Sequence, residues 1–198
     1  MSTNTLIHRI VRPVVRRIAR TRITPNYVTT LRLVTGIAAA AAFAAGGGFW
    51  PAVGGGVFVL AMLLDRADGE LARQSGRSSA FGHRYDLVSD CASNILAFIG
   101  IGVGAMPSLG ALGPLLGILA GLGIGALFWQ LNALKIVELR PYSAWGDRIN
   151  ADPDDALILV PVLVWCGAAV PALIAAAVIT PLAALWIGFG ALRAARGM

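Results

Sequence analysis

Six long apolar segments dominate this chain and set what it can fold into. A helix needs about 20 mostly apolar residues to cross the roughly 30 Å hydrocarbon core of a bilayer. Turn-forming residues separate the segments, among them Gly46-Gly47-Gly48 and Pro107-Ser108. We therefore predict an all-α integral membrane protein with six transmembrane helices, the fifth being the shortest. The segments span about residues 27–46, 50–72, 82–106, 110–136, 153–169 and 172–193.

The composition supports this prediction and excludes most soluble classes. Hydrophobic residues make up 57% of the 198 residues, and 24 glycines add to that share. In a soluble domain the two together reach only roughly 45–50%. Charged residues are 13% of the chain, about half the usual share. This composition excludes a disordered chain, a collagen, a coiled coil and a secreted disulfide scaffold, and it leaves no room for a separate soluble domain.

The region before the first apolar segment has a different pattern. Residues 6–23 place apolar side chains at helical spacing on one face and arginines on the other, which predicts a basic amphipathic helix in the headgroup plane. We expect residues 1–23 to form this juxtamembrane helix and 24–198 the six-helix domain. A cleaved signal peptide is disfavoured, since the next apolar stretch is too long and contains Arg32. The apolar face comprises Leu6, Ile7, Ile10, Val11, Val14, Val15 and Ile18, and the basic face Arg9, Arg12, Arg16, Arg17 and Arg20.

Every charge in the chain falls on one side of the six-helix map. The loops at about 46–51, 106–111 and 167–172 carry none, while all 16 basic and all 10 acidic residues lie toward the opposite side. The positive-inside rule then predicts a multi-pass protein of the cell (inner) membrane with both termini in the cytoplasm. The net charge of +6 is therefore an orientation signal, and we expect no nucleic-acid partner. Acidic residues contribute little to that rule, so the carboxylates need another explanation.

Two pairs of aspartates suggest that explanation. Asp65 and Asp68 are three residues apart near the end of the second segment, and Asp86 and Asp90 are four apart near the start of the third. Each spacing puts a pair on one helix face, so two adjacent helices can present four carboxylates to a shared space at the cytoplasmic face. Such ligands suit Mg²⁺ or Mn²⁺, and two divalent ions would cancel the four charges. Glu70 lies off that face, and we expect it to meet headgroups or an arginine.

These residues also resemble a known family. The pattern Asp65-x2-Asp68-Gly69-x2-Ala72-Arg73-x8-Gly82-x3-Asp86-x3-Asp90 is similar to the signature of the class I CDP-alcohol phosphotransferases at all eight fixed positions. The stretch Thr24-Pro25-Asn26-Tyr27-Val28-Thr29 looks like the Pro-Asn-x-x-Thr opening common in that family. The resemblance extends from about residue 5 to 193 and is strongest over 24–90.

The resemblance implies a reaction of phospholipid biosynthesis. The hydroxyl of a polar alcohol displaces CMP from a CDP-linked donor, usually CDP-diacylglycerol. By similarity Asp65, Asp68 and Asp86 would ligate the metals, with Asp90 near the second ion and acting as the general base. A base has to lie within hydrogen-bond reach of the attacking hydroxyl, while the metals neutralise the diphosphate.

The resemblance further implies where the two substrates bind. The small residues of the motif would let the donor approach the helix backbones, and Arg73 would be a charge partner for a phosphate. Three basic residues after the fourth segment could hold a phosphorylated acceptor of the glycerol phosphate or inositol phosphate type, although positive-inside anchoring explains them equally well. Membrane lipid is an expected partner, and the resemblance allows for a homodimer. The donor set is Asn26, Thr29, Gly69, Ala72, Arg73 and Gly82, and the acceptor set is Lys135, Arg140 and Arg148.

Other functions predict different patterns. A soluble CDP-alcohol donor would use the same chemistry but fits an interfacial site less naturally. A cation-binding membrane transporter would spread its carboxylates through the membrane depth, yet none lies in the outer half of a predicted helix. A purely structural bundle held together by Gly and Ala does not explain the small residues between the aspartate pairs. We therefore expect an enzyme.

Overall fold

A computed structural model describes residues 6–133 and 153–196. Within these ranges the chain forms helices and no strand, as an all-α membrane protein requires. The α-helices are α1 (Leu6–Ile18), α2 (Pro25–Ala45), α3 (Trp50–Ser75), α4 (Ala80–Gly104), α5 (Met106–Leu109), α6 (Leu112–Ala133), α7 (Leu159–Trp165) and α8 (Ala169–Arg196), and a 3₁₀ helix over Pro153–Ile158 precedes α7.

Five of these helices, α2, α3, α4, α6 and α8, are long and apolar enough to cross a membrane. The predicted fifth crossing, at about 153–169, differs from the rest because it divides into the 3₁₀ helix and the seven-residue α7. At about 2.0 Å and 1.5 Å of rise per residue, the two rise about 22 Å together, which is less than the roughly 30 Å core. The all-α membrane fold is thus confirmed, while a total of six crossings stays a prediction.

Helix α1 confirms the predicted N-terminal helix but ends at Ile18, earlier than the predicted residue 23. The chain turns there, because the Thr21 hydroxyl donates a hydrogen bond of 2.7 Å to the Ile18 carbonyl. Val11 and Val15 are buried in one apolar cluster with residues of α2 and α3. The side chain of Val14 is 57% exposed, because it lies about 100° around the helix from Val15, and its predicted contact with the lipid surface stays a prediction.

Glycines allow α2 and α4 to pack closely. A Cβ atom on Gly100 would meet the carbonyl oxygen of Ala40, and one on Gly104 would meet that of Phe43. Phe43 and Ala97 belong to the main apolar cluster of the bundle. Because no side chain separates the two backbones at these points, the polar ends of both helices can meet at one end of the bundle.

The remaining helices pack around this pair. On α8, the Thr180 hydroxyl donates a hydrogen bond of 3.1 Å to the Ala120 carbonyl of α6. On α7, the Trp165 indole donates one of 3.0 Å to the Ala52 carbonyl near the start of α3. These contacts lie away from the aspartates, so the bundle supports the polar end without adding charged groups at these points.

Candidate active site

Three helix ends meet to form the polar end of the bundle. Helix α2 begins there after the extended Thr24, with Pro25 in its first turn. Helix α3 ends there at Gly76, whose φ of 65° is a left-handed conformation that glycine adopts without strain. Helix α4 begins there after Ser79, whose hydroxyl accepts a 2.9 Å hydrogen bond from the Gly82 amide. Each end thus carries a helix-terminating signal that is readable in the sequence.

Three of the four predicted aspartates converge at this place. One carboxylate oxygen from each of Asp65, Asp68 and Asp86 lies within 4.8 Å of the other two. Asp68 is buried, whereas Asp65 and Asp86 are half-buried. The Asp68 carboxylate accepts a 2.7 Å hydrogen bond from the buried Thr29 hydroxyl of α2. The prediction that α3 and α4 present carboxylates to a shared space is therefore confirmed.

Asp90 lies one helical turn beyond Asp86 on α4 and faces a small cavity. Its carboxylate accepts a 3.3 Å hydrogen bond from the Asn94 amide and lines a cavity of about 30 Å³ together with Asn94 and Phe128. A space of this size admits a water-sized group. Asp90 is not one of the three residues whose oxygens lie together, so its position beside them suits a role other than tight chelation.

The cation among these carboxylates is Arg32 of α2, a residue that the sequence analysis did not assign to the site. One of its terminal nitrogens, Nη1, contacts the carboxylate of Asp65 and lies 3.1 Å from that of Asp86 and 3.7 Å from that of Asp90. The other, Nη2, donates a 2.9 Å hydrogen bond to the Asp86 backbone carbonyl. The side chain is 2% exposed.

A sequence signal for Arg32 did exist. It continues the Asn26 and Thr29 series at three-residue spacing, which places it on the same helix face. A charged residue inside an apolar segment is a functional candidate by default. Arg32 lies between the Pro-Asn-x-x-Thr opening and the aspartate motif that starts at Asp65, so neither pattern includes it.

The predicted donor residues border the carboxylates. A Cβ atom on Gly82 would lie 3.1 Å from the Asn26 side-chain oxygen, so these two residues from α4 and α2 are neighbours. A Cβ atom on Gly69 would meet nothing within 4 Å, so open space lies beside the helix there. Ala72 is half-buried one turn further along α3. The space beside these residues suits a ligand that approaches the α3 backbone closely.

Arg73 already has a partner in Glu70. Its guanidinium donates hydrogen bonds of 3.2 and 2.8 Å to the Glu70 carboxylate, and its side chain is 43% exposed. Glu70 is buried, and its carboxylate also lies 3.5 Å from Arg12 of α1. The expectation that Glu70 meets an arginine is confirmed, and the role of Arg73 toward a phosphate stays a prediction. The predicted acceptor residues Lys135, Arg140 and Arg148 lie outside the described residues.

The residues present fit a divalent metal ion. Asp65, Asp68 and Asp86 offer hard oxygen ligands within a few ångströms of one another, and Mg²⁺ and Mn²⁺ prefer such ligands. Arg32 in the same space shows that these carboxylates attract a cation. A metal held there would neutralise a bound diphosphate and the departing phosphate group.

Comparison with known families agrees with this geometry. The profile of the CDP-alcohol phosphatidyltransferase family matches residues 22–181. The chain belongs to this family. It is therefore a membrane-embedded transferase of substituted phosphate groups, in a family that carries out phosphatidyl transfer in phospholipid synthesis with a CDP-alcohol donor, an alcohol acceptor and divalent metal ions. A search among curated proteins gave no significant match.

The matched range places the observed site within the family region. It includes α2, α3, α4 and α6 and the first part of α8, and thus all four aspartates and Arg32. Helix α1 precedes the matched range. Family membership thus covers the helices that build the site.

Proposed function

We propose that this CDP-alcohol phosphatidyltransferase transfers the phosphatidyl group of CDP-diacylglycerol to the hydroxyl of a polar alcohol and releases CMP. The observation that carries the proposal is the approach of Asp65, Asp68 and Asp86 to within 4.8 Å of one another, inside the range that matches the family. Glycine and alanine border this cluster, which leaves room for a nucleotide beside the helix backbones.

In the proposed site Asp65, Asp68 and Asp86, together with Asp90, would hold two divalent ions, Mg²⁺ or Mn²⁺. Bound metal supplies charge neutralisation for the diphosphate and for the departing CMP. Thr29 supports this role of Asp68, since its hydroxyl fixes the orientation of the carboxylate. Asn26, Gly69, Ala72, Arg73 and Gly82 form the proposed donor surface.

Asp90 is the proposed general base. The acceptor oxygen attacks the phosphorus that carries the diacylglycerol, a new P–O bond forms, and the P–O bond to the bridging oxygen breaks. CMP leaves with that oxygen and with its electron pair. The acceptor proton passes to the Asp90 carboxylate, which the Asn94 amide orients through its 3.3 Å hydrogen bond.

A lipid donor and a phosphorylated acceptor fit the proposed location of the site. The aspartates lie at the end of the bundle where α3 gives way to α4, which the charge distribution assigns to the cytoplasmic face of the cell membrane. There the donor tails can remain in the lipid while the CMP portion reaches the metals. Lys135, Arg140 and Arg148 follow α6 in sequence, and their charge suits an acceptor of the glycerol phosphate or inositol phosphate type.

The test is a product assay with purified protein in lipid nanodiscs. We expect labelled CDP-diacylglycerol, Mg²⁺ or Mn²⁺ and a panel of alcohols and their phosphates to give one labelled phospholipid and an equal amount of CMP. Phosphorylated acceptors should react and their free alcohols should not. The control is the same incubation with EDTA in place of metal.

Three outcomes would each contradict one part of the proposal. A product only from free alcohols would contradict the phosphorylated acceptor. CMP release only from a soluble CDP-alcohol would contradict the lipid donor. Metal-dependent cation flux into liposomes without any CMP release would contradict the enzyme and favour a transporter.

A further inference from the structure

Arg32 occupies the space in which the proposed function requires metal ions. Its Nη1 atom contacts Asp65 and lies 3.1 Å from Asp86 and 3.7 Å from Asp90. Helix α2 carries this guanidinium, so one cation joins carboxylates from both aspartate pairs, which lie on α3 and α4. The Asp65 oxygen that contacts Arg32 cannot use the same lone pair to bind a metal ion.

We propose that Arg32 is a built-in counter-ion that stabilises the carboxylates without metal and competes with divalent ions for Asp65 and Asp86. This inference rests on the proposed function, because it takes these aspartates to be metal ligands. Arg32 is thus a positioning residue, since it acts through the carboxylates and does not touch the substrates.

Electrostatics supports the counter-ion role. Four ionised carboxylates in a partly buried cluster repel one another, and the interaction of two charges grows as the local dielectric falls. Arg32 lies at the centre of the cluster and is 2% exposed, so water screens it little. Removing one partner from a buried charge group leaves the others uncompensated, which destabilises the fold.

Geometry supports the competition. Arg32 has a second anchor besides the carboxylates, because Nη2 donates a 2.9 Å hydrogen bond to the Asp86 backbone carbonyl. This bond does not depend on carboxylate charge. The planar guanidinium can therefore pivot about the Nη2 bond, so that a divalent ion replaces Nη1 at the carboxylates while the backbone bond remains. The Nε atom is buried with no hydrogen-bond partner, so the side chain is not held at its third nitrogen.

The experiment measures Mn²⁺ affinity directly, without turnover. Metal-free protein in nanodiscs is titrated with Mn²⁺, and free Mn²⁺ is followed by its paramagnetic resonance signal. We expect Arg32→Gln to bind Mn²⁺ at least about tenfold more tightly than wild type, because a competing positive charge is gone. Arg32→Lys keeps the charge and should stay within about threefold of wild type.

Arg66→Gln is the matched control. It removes the same charge from a buried arginine on α3 whose guanidinium lies 3.9 Å from the Asp65 carboxylate, farther from it than the Arg32 guanidinium. We expect it to change the Mn²⁺ affinity by less than about threefold. An equal tightening in Arg32→Gln and Arg66→Gln would contradict a specific role for Arg32, and unchanged or weaker binding by Arg32→Gln would overturn the inference.

Thermal unfolding in EDTA tests the counter-ion role separately. Arg32→Gln should unfold several degrees below wild type and regain that difference with Mn²⁺. If this variant does not fold without metal, Arg32→Gln combined with Asp65→Asn should restore the metal-free unfolding temperature, because it removes one negative charge along with the positive one. A double variant as unstable as the single one would contradict the counter-ion role.

The results also distinguish the inference from the function on which it rests. Wild-type protein that binds no Mn²⁺ would contradict both the metal site and the competition for it. Equal Mn²⁺ affinities in wild type and Arg32→Gln would contradict only the inference and leave the proposed phosphatidyl transfer intact.

Discussion

At the scale of single residues, Thr29 is the neighbour through which α2 fixes the position of Asp68. Its buried hydroxyl donates the 2.7 Å hydrogen bond to the Asp68 carboxylate and also lies 3.2 Å from the Pro25 carbonyl of its own helix. A buried metal-ligand carboxylate depends on such partners for its orientation. Thr29 therefore links the Pro-Asn-x-x-Thr opening of α2 to the aspartates of α3.

Replacing Thr29 by Val keeps the shape of the side chain and removes this hydrogen bond. We expect Mn²⁺ to bind about 10- to 100-fold more weakly, which is the typical cost of losing a group that orients a metal ligand. Thr35→Val is the matched control, because the Thr35 hydroxyl bonds only backbone carbonyls of α2 in the contacts recorded for it. Equal Mn²⁺ affinities for the two variants, measured by the same resonance titration, would contradict this role of Thr29.

Some residues of the site were predictable from the sequence and others were not, for a physical reason. Asp65, Asp68 and Asp86 were predictable because helical spacing fixes which residues share a face. Arg32 was not placed among them, since its contacts depend on how α2 crosses α3 and α4. Likewise, the partnership of Arg73 with Glu70 is local, at three-residue spacing, yet the motif alone suggested only a phosphate partner for Arg73.

At the scale of helices, the close packing of α2 against α4 is what brings Arg32 to Asp86. Gly100 and Gly104 allow the two backbones to touch near Ala40 and Phe43. This contact lies toward the ends of α2 and α4 that are opposite the aspartates, so it sets the angle at which the polar ends meet. A side chain at the contact would separate the helices along their length.

Gly100→Ala should therefore destabilise the bundle although alanine is the better helix former. Overpacking at a close contact costs typically about 1–3 kcal/mol, against a gain of about 0.5–1 kcal/mol in helix propensity. Gly56→Ala on α3 is the matched control, since a Cβ atom there would meet nothing within 4 Å, and it should be neutral or stabilising. Unfolding in denaturant measures both changes, and equal stabilities would contradict the packing role.

Helix existence was easier to predict than helix ends or the number of crossings. The apolar segments correspond to α2, α3, α4, α6 and α8, because about 20 apolar residues leave a chain few other solutions in a bilayer. The fifth segment, at about 153–169, is divided into a 3₁₀ helix and the short α7, which apolar length alone does not predict. The end of α1 at Ile18 depends on a turn that joins it to α2, which the arginine periodicity does not encode.

At the scale of the whole molecule, the charge distribution predicts which end of the bundle faces the cytoplasm. Ser78 lies between α3 and α4 beside the site, and Ser108 lies in α5 at the opposite end of α4. In a background without Cys91 and Cys166, we expect Ser108→Cys to react with a membrane-impermeant maleimide in intact cells. Ser78→Cys should react only after the membrane is opened. The reverse labelling pattern would place the site on the outer face and contradict the positive-inside assignment.

One conclusion about the whole molecule draws on the aspartate cluster, the family membership and the helix packing. We infer that the charged end of the bundle is an active site for CMP displacement. Replacing Asp90 distinguishes a catalytic from a purely structural role of the charged end, because a general base affects the reaction more than the fold. Its carboxylate faces the small cavity beside Asn94, where an acceptor hydroxyl has room to approach.

The most direct measurement is the rate of CMP release from CDP-diacylglycerol by Asp90→Asn, with metal and the acceptor that the wild-type protein uses. We predict a rate at least about a hundredfold below wild type, because general bases contribute typically 10²–10⁴-fold, in a variant that unfolds cooperatively and is therefore folded. An Asp90→Asn protein that releases CMP at the wild-type rate with every donor and acceptor tried would contradict the mechanism.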